Sequence, residues 1–365
     1  MFPLARIISN VWVRTLLPLA VLVVLVLNPV EAKDRRTPQS QTEDTAVEPL
    51  LLEGGRRLEY VRSFSSEEEV KTKKSFWSKV LDFVAGAPDI HHMVRPYDVA
   101  KDSQGRLIVT DPGAPAVHIF DFKRQKYLNL AGGRQEFKSP ICVAVDAEDN
   151  IYVTDSELGK IFVFDAHGKF RRYIGDVKGE GYFKRPTGLA LDSVAKRIYV
   201  TDTLKNAVYT LDFDGNILRS FGKTGQGEGE FNYPTEIRVH DDELIVSDAM
   251  NFRVQIFDRE GRFRQQFGQL GTVTGTMFRS KGLALDSEGN IYLADAFLDS
   301  VQVFSRNGDL LYYFGGSGSG PAQFQLPAGV YIDHENKVYV ADALNRRVQT
   351  FQYIAAPSAG PKSAQ

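Results

Sequence analysis

The sequence predicts an all-β fold of six similar units, each a sheet of four antiparallel strands, and three observations support that prediction. First, an apolar stretch that ends in Asp occurs six times, and these aspartates recur every 44 to 47 residues, at Asp111, Asp155, Asp202, Asp248, Asp295 and Asp342. Second, this interval is the length of one four-stranded propeller blade. Third, each unit alternates short apolar runs with Gly or Asp turns, as an antiparallel meander does. The units fill residues 95–354, so we predict a six-bladed β-propeller.

The third unit shows the four strands most clearly, and the sixth unit lacks one. The strands of the third unit are predicted at residues 187–192, 198–202, 207–212 and 217–221. The sixth unit ends without a fourth strand, but Val61-Arg62-Ser63-Phe64 resembles the fourth strand of the third unit, Leu218-Arg219-Ser220-Phe221. We therefore predict that residues 58–64 pair onto the last blade and close the ring, which leaves only short, protected strand edges.

The N-terminal segment 1–32 has the features of an export signal. Arg6 and Arg14 accompany an apolar run from Leu16 to Leu27, and small residues follow near Ala32. This run is short for a membrane span, which needs about twenty apolar residues. We predict a cleaved signal peptide and an exported protein, in the periplasm or outside the cell. An uncleaved N-terminal anchor, and hence a membrane tether, is the alternative.

Three further segments flank the repeats. Residues 33–54 are polar and are predicted to be a disordered tether. Residues 55–94 are predicted to hold the closure strand and then a short amphipathic helix, because apolar side chains fall at helical spacing between residues 76 and 84. Residues 355–365 are predicted to be a flexible tail.

The repeat resembles a known family. Its best copy comprises Phe324-Gln325-Leu326-Pro327-Ala328-Gly329, Tyr339-Val340-Ala341-Asp342 and Asn345-Arg346-Arg347-Val348, a pattern similar to the NHL repeat. The resemblance covers about residues 95–353 and implies a six-bladed propeller that is used mainly for binding, with a minority of enzymes. Family enzymes of the lyase type hold a metal with histidines near the channel, but the sequence has no histidine cluster at metal-ligand spacing.

Composition narrows the expected partners. The formal net charge is -2, whereas a nucleic-acid binder normally carries a basic excess, so no nucleic-acid partner is expected. Cys142 is the only cysteine, which excludes a disulfide framework or a Cys-based zinc site within one chain. We expect a monomer with no cofactor and no metal.

Candidate site residues lie where the repeat is broken. We interpret the six repeated aspartates as hydrogen-bonding scaffold, with Arg253 and Arg347 as partners. The inner-strand positions that depart from the small residues of the other blades are Asp98, Cys142, Glu236, Arg238 and Tyr331. Arg238 could pair with Asp98 or with Glu236, either as a plug in the channel or as part of a ligand site. Around the same mouth, the sequence places Arg95, Arg185, Arg279 and Lys281, which could receive an anionic ligand or an acidic partner.

Two functions are compatible with this pattern. The first is an exported, non-catalytic module that binds a protein, peptide or glycan partner through the longer loops of one face. In that case no residue is catalytic, and the ligand-binding candidates are Asp98, Glu236, Arg238, Tyr331, Cys142, Arg95, Arg185 and Lys281. The alternative is a lyase- or hydrolase-like enzyme with its site at the channel mouth.

Overall fold

The computed structural model describes residues 47–70, 90–133, 135–177 and 180–355. The described chain begins with two strands, β1 (Leu50–Leu51) and β2 (Arg57–Phe64), with the 3₁₀ helix Glu53–Gly55 between them and the 3₁₀ helix Glu67–Glu69 after them. The first blade contains β3 (Asp98–Lys101), β4 (Leu107–Asp111), β5 (Ala116–Asp121) and β6 (Lys126–Asn129). The second contains β7 (Pro140–Val145), β8 (Ile151–Asp155), β9 (Lys160–Phe164) and β10 (Phe170–Ile174).

The remaining blades repeat this order after a small separate hairpin, β11 (Asp176–Val177) and β12 (Glu180–Gly181). Blade 3 contains β13 (Pro186–Asp192), β14 (Arg197–Asp202), β15 (Ala207–Asp212) and β16 (Ile217–Phe221). Blade 4 contains β17 (Pro234–His240), β18 (Glu243–Asp248), β19 (Arg253–Asp258) and β20 (Phe263–Phe267), with the 3₁₀ helix Ala249–Asn251 after β18. Blade 5 contains β21 (Ser280–Leu285), β22 (Ile291–Asp295), β23 (Ser300–Phe304) and β24 (Leu310–Gly315). Blade 6 contains β25 (Pro327–Ile332), β26 (Lys337–Asp342) and β27 (Arg347–Ile354).

The first strands of the six blades form the inner wall of the ring. Each of β3, β7, β13, β17 and β21 contacts the first strand of the next blade, and β25 contacts β3. The second and third strands are sandwiched between neighbouring blades, so both of their faces are buried and their sequences are almost continuously apolar. The outermost strands β16 and β20 contain exposed and partly exposed residues, with Arg219 and Arg264 among the exposed ones. The predicted six-bladed propeller is confirmed.

The ring is closed by the predicted N-terminal strand. β2 pairs antiparallel with β27, with Leu58 opposite Tyr353 and Phe64 opposite Val348. Leu58 and Phe64 are both buried. The ring of Phe64 lies 5.0 Å from that of Phe120 in blade 1, so the closure strand also contacts the next blade. The first and last described parts of the chain are thereby joined in one sheet.

The last blade has five strands, which differs from the prediction for residues 33–54. β1 pairs with β2, with Leu50 opposite Leu58, inside the segment that the sequence predicts to be a disordered tether. The cause is local, because the Leu52 N–H donates to the carbonyl oxygen of Arg56 at 2.9 Å and turns the chain back along the free edge of β2. Within the described residues, strand pairing begins at Leu50.

Several predicted segments lie outside the described residues. These are the export signal at 1–32, residues 33–46 of the tether, the apolar positions of the amphipathic helix, and nearly all of the C-terminal tail. None of the helices in the described parts of the chain is long and apolar enough to cross a membrane.

Removing the side chain that anchors the closure strand should destabilise the ring. We expect Phe64→Ala to lower the free energy of unfolding by about 3 to 5 kcal/mol, because a buried aromatic ring is lost and a cavity remains. Val61 lies on the same strand but is exposed, so Val61→Ala is the matched control and should change it by less than about 0.5 kcal/mol. Urea unfolding measures both values, and equal effects of the two substitutions would contradict this account of closure.

Candidate functional site

The six repeated aspartates hold the loops that lead into the inner strands. All six are fully buried, and their carboxylates accept backbone N–H groups from the residues just before each first strand. Asp202, for example, accepts from Lys184 at 2.7 Å and from Arg185 at 3.0 Å. Because these loops all belong to one end of the ring, the aspartates define a loop-rich face. Their predicted role as scaffold is confirmed.

The predicted arginine partners of two aspartates are also present. Arg253 Nε donates to Asp248 Oδ2 at 2.9 Å, and Arg347 Nε donates to Asp342 Oδ2 at 2.8 Å. The guanidinium of Arg253 also donates to the carbonyl oxygens of Gln226 and Gly227 in the preceding loop. These arginines are therefore occupied in fixing the loops.

A cavity of about 260 Å³ opens on the loop-rich face at the centre of the ring. Four cationic side chains line it, together with Tyr97, and we call it the basic cavity: Arg95, Arg185, Arg279 and Lys281. No carboxylate occurs among its described lining residues. The ammonium group of Lys281 lies 5.3 Å from the centre of the Tyr97 ring, a cation–π arrangement.

The cationic side chains of the basic cavity have no ion-pair partner in the described part of the protein. Burial, followed by the charges of Arg279, Arg95 and Arg185, lowers the pKa of Lys281 to about 8. Crowded like charges of this kind favour the binding of an anion, which would relieve their repulsion.

Below the basic cavity lies a buried acidic group, which we define as Asp98, Cys142 and Glu236. The Cys142 thiol donates to Asp98 Oδ2 at 3.0 Å, and the Val143 N–H donates to the same oxygen at 3.1 Å. Cys142 Sγ lies 3.8 Å from Glu236 Oε1. Burial raises the pKa of Cys142, which favours the neutral thiol over the nucleophilic thiolate.

Arg238 pairs with both carboxylates, whereas the sequence left open which of the two it contacts. Its Nη1 contacts Glu236 Oε1 closely, and its Nη2 lies 3.7 Å from Asp98 Oδ1. Two carboxylates and one guanidinium leave one excess negative charge, and a proton held on a carboxyl group removes it. Burial raises the pKa of Glu236 to about 8; Arg238 opposes this rise and Asp98 adds to it. Burial therefore favours the protonated form of Glu236.

The buried acidic group is also where a metal ion would have to lie. Within the described ranges, its three side chains each offer a ligand atom, and these atoms lie within 4.8 Å of one another. The guanidinium of Arg238 already supplies a positive charge at this point. A metal ion would have to compete with it, so the donor set does not fit a metal well.

Arg238 and Tyr331 face the other end of the channel. They line a cavity of about 160 Å³ formed by the ends of the inner strands, whereas the beginnings of these strands line the basic cavity. The Tyr331 hydroxyl donates to the carbonyl oxygen of Lys101 at 3.4 Å. The channel is thus filled between the two cavities by the buried acidic group.

The eight candidate residues consequently occupy three levels rather than one site. Arg95, Arg185 and Lys281 meet at the loop-rich face, together with Arg279. The buried acidic group lies in the middle, and Arg238 and Tyr331 lie at the far end. Sequence reasoning did not select Phe297 and Leu344, exposed apolar residues beside the basic cavity, although both follow a repeated aspartate by two positions.

Comparisons with known proteins agree with this architecture. The model of a family described as 6-bladed beta-propeller matches residues 189–239. The chain is 30% identical over 101 residues to E3 ubiquitin-protein ligase NHLRC1 of Homo sapiens, which covers 27% of this chain and 24% of that protein. It is 48% identical over 52 residues to Protein brain tumor of Drosophila melanogaster, which covers 14% of this chain and 5% of that protein. The chain is an NHL-type six-bladed β-propeller.

Solved structures resemble the NHL-type propeller over a larger share of its length. A streptogramin B lyase superposes with a TM-score of 0.55 at 14% identity, covering 72% of this chain and 94% of that chain. A protein of unknown function from Bacteroides thetaiotaomicron superposes with a TM-score of 0.60 at 15% identity, covering 84% of each chain. At such identities the likeness shows the fold alone. The matches to the two curated relatives span only 5% and 24% of their lengths.

No histidine lines either channel cavity in the described part of this NHL-type propeller. His118 lies on β5, where its Nδ1 is 2.6 Å from the hydroxyl oxygen of Tyr127. His91 lies beside Glu67, and His240 lies beside Asp241. The metal-holding histidines that the family resemblance implies for lyase-type enzymes have no counterpart in these cavities.

The stability of the NHL-type propeller should fall as pH rises through the titration of Glu236. The ordinary pKa of a glutamate is 4.5, so between about 4.5 and 8 the folded protein holds a proton that the unfolded chain does not. This contribution is fully present below pH 4.5 and is lost as pH rises through about 8, at about 1.4 kcal/mol for each unit of pKa difference. Urea unfolding at a series of pH values measures it.

Glu236→Gln should flatten this pH profile, because the amide cannot release a proton. Glu228 is exposed, so Glu228→Gln is the matched control and should leave the profile unchanged. The assignment fails if Glu236→Gln retains the full decline in stability between pH 5 and 8.

Proposed function

We propose that this NHL-type propeller is an exported, non-catalytic binding module that holds an acidic group of a protein or peptide partner in the basic cavity. A neutral glycan is a weaker candidate, since it would leave the charge of the cavity uncompensated. Export stays a prediction from residues 1–32, which sequencing of the N-terminus of the purified protein would check.

The observation that carries the proposal is the placement of the cations around the ring. The residues just before the first strands alternate between Arg in blades 1, 3 and 5 and uncharged residues in blades 2, 4 and 6: Arg95, Ser139, Arg185, Tyr233, Arg279 and Leu326. Three guanidinium groups from alternate blades thus surround the channel mouth, and Lys281 adds a fourth charge. Guanidinium groups donate in a planar fork that suits carboxylates, so a carboxylate is the favoured ligand group.

The enzyme alternative has less support. It requires Asp98, Glu236 and Arg238 to reach a substrate at the channel mouth, but Asp98 and Glu236 are almost fully buried and Arg238 is held between them. A general acid or base must lie within hydrogen-bond reach of the substrate. The arrangement therefore favours a structural plug with a binding surface above it.

Removing one cation from the cavity should weaken the binding of an acidic probe. We expect Arg185→Gln to reduce the affinity for a fluorescein-labelled oligoglutamate peptide at least about tenfold, or about 1.4 kcal/mol, measured by fluorescence anisotropy at low salt. Lys184 is the adjacent exposed cation, but it does not line the cavity. Lys184→Gln is therefore the matched control, and equal losses for both variants would indicate nonspecific charge attraction instead.

Binding of the same probe should weaken as pH rises above neutrality. Since the pKa of Lys281 is lowered to about 8, this side chain loses its charge between about pH 7 and 9 in the free protein. The affinity should fall over this range, because the bound carboxylate favours the protonated ammonium group. Lys281→Met should bind more weakly at pH 7 and lose most of this pH dependence. An unchanged pH profile in Lys281→Met would contradict a role for Lys281 in the cavity.

A further inference from the structure

Exposed apolar side chains recur at one loop position of the loop-rich face in blades 3 to 6. In blades 3 to 6 the second residue after the repeated aspartate is a large apolar residue: Leu204, Met250, Phe297 and Leu344. Blades 1 and 2 have Gly113 and Glu157 at this position. The four apolar side chains are between 42% and 52% exposed. Large apolar residues gathered on one exposed face of a soluble protein mark an interaction site.

Two of these side chains border a groove between blades 5 and 6. This apolar groove has a volume of about 440 Å³, and Phe297 and Leu344 line it. The ring of Phe278 lies 4.3 Å from that of Phe297 and supports it from the side. The groove is thus a formed depression with aromatic and aliphatic walls.

The apolar groove is continuous with the basic cavity. Arg279, Ala296 and Leu326 line both. Asp299, the carboxylate in the groove, is already engaged, because it accepts from the Ser317 hydroxyl at 2.5 Å and from the Leu326 N–H at 2.8 Å. A ligand would therefore meet cationic groups at the centre of the ring and apolar walls beside them.

We propose that the occupant is an extended acidic polypeptide segment of a partner protein. One Asp or Glu side chain lies in the basic cavity, and a neighbouring Leu, Ile or Phe side chain lies in the apolar groove between Phe297 and Leu344. This inference rests on the proposed function and adds the second contact that fixes the direction of the bound segment.

The residues shared by the basic cavity and the apolar groove set the spacing between the acidic and the apolar side chain of the bound segment. Because Arg279 borders both depressions, the acidic and the apolar residue must be close in sequence. In an extended chain, residues two positions apart lie on the same side and are separated by about 7 Å, which suits two adjoining depressions. The motif that we infer is an acidic residue with an apolar residue two positions away.

A polypeptide fits the adjoining basic cavity and apolar groove better than other anionic ligands do. A carbohydrate or an inorganic anion offers the charge without an aliphatic or aromatic side chain at a fixed distance. An anionic membrane offers both, but as a flat surface, whereas the basic cavity is a concave depression at the centre of the ring. Charge complementarity and shape together therefore favour a peptide segment.

A set of short fluorescein-labelled peptides tests the inference with the full chain. Each peptide carries one central Glu, and the position two residues away holds Leu, Phe, Ala or Lys. We expect the Leu and Phe peptides to bind about tenfold more tightly than the Ala peptide, with the Lys peptide weakest. Fluorescence anisotropy measures the affinities.

Matched variants locate the apolar contact. Phe297→Ala and Leu344→Ala should abolish the preference for Leu or Phe over Ala. Leu204 is exposed at the equivalent position of blade 3 but does not line the groove, so Leu204→Ala is the control and should retain the full preference. Circular dichroism melting confirms that each variant is folded.

The outcomes separate this inference from the proposed function. If all Glu peptides bind equally, and Arg185→Gln weakens every one, the groove inference is overturned while the basic cavity stands. If no Glu peptide binds, both fail. Tighter binding to phosphatidylcholine vesicles containing phosphatidylserine, or to an oligogalacturonate, than to any peptide would also overturn the peptide inference and assign the face to a membrane or an anionic glycan.

Discussion

The hydrogen bonds from the buried aspartates to the loop backbone are the interaction on which the rest of the structure depends. A fully buried carboxylate is tolerated only when donors surround it, and in every blade these donors include backbone N–H groups of the loop. The N–H groups of Arg95, Arg185 and Arg279 are among these donors, at 2.9, 3.0 and 3.1 Å. The same contacts that hold the loops therefore fix the backbone of the three arginines whose side chains line the cavity.

The loop backbone binds the aspartates while the arginine side chains line the cavity, and this separation of roles lets a repetitive scaffold carry a specific site. In blades 1, 2, 3 and 5 the aspartate binds the backbone N–H of the residue before the first strand and not its side chain, so this residue is free to vary without loss of the scaffold contact. Three blades use that freedom for Arg, and the others carry Ser, Tyr and Leu at the equivalent positions. Blades 3 to 6 carry large apolar side chains at the second position after the aspartate. The asymmetry of the face thus comes from these side chains and from a backbone difference in blades 4 and 6, where Tyr233 and Leu326 have φ values of 57° and 52°.

Much of the fold could be predicted because each repeat can be compared with the other five. The likeness of Val61–Phe64 to Leu218–Phe221 located the closure strand, and the Asn-x-Arg motifs located the partners of Asp248 and Asp342. β1 could not be predicted, since it depends on the free edge that β2 presents after the ring has closed. The depth at which each candidate residue lies along the channel could not be predicted either. Several inner strands carry an irregularity in register near their start, as between Pro234 and Glu236, and such a bulge redirects the side chains that follow it.

The closure strand has a consequence for the timing of folding. β2 lies near the beginning of the described chain, but its partner β27 ends at Ile354, so this pairing spans almost the entire propeller. During synthesis from the N-terminus, the six blades can assemble in order, yet the ring stays open until the last strand has emerged. Closure is therefore the step with the longest loop and the largest entropic cost of bringing two ends together. Until β27 has emerged, the edge of β2 that pairs with it is exposed. An exposed strand edge of this kind is a site where a chaperone could bind the nascent protein.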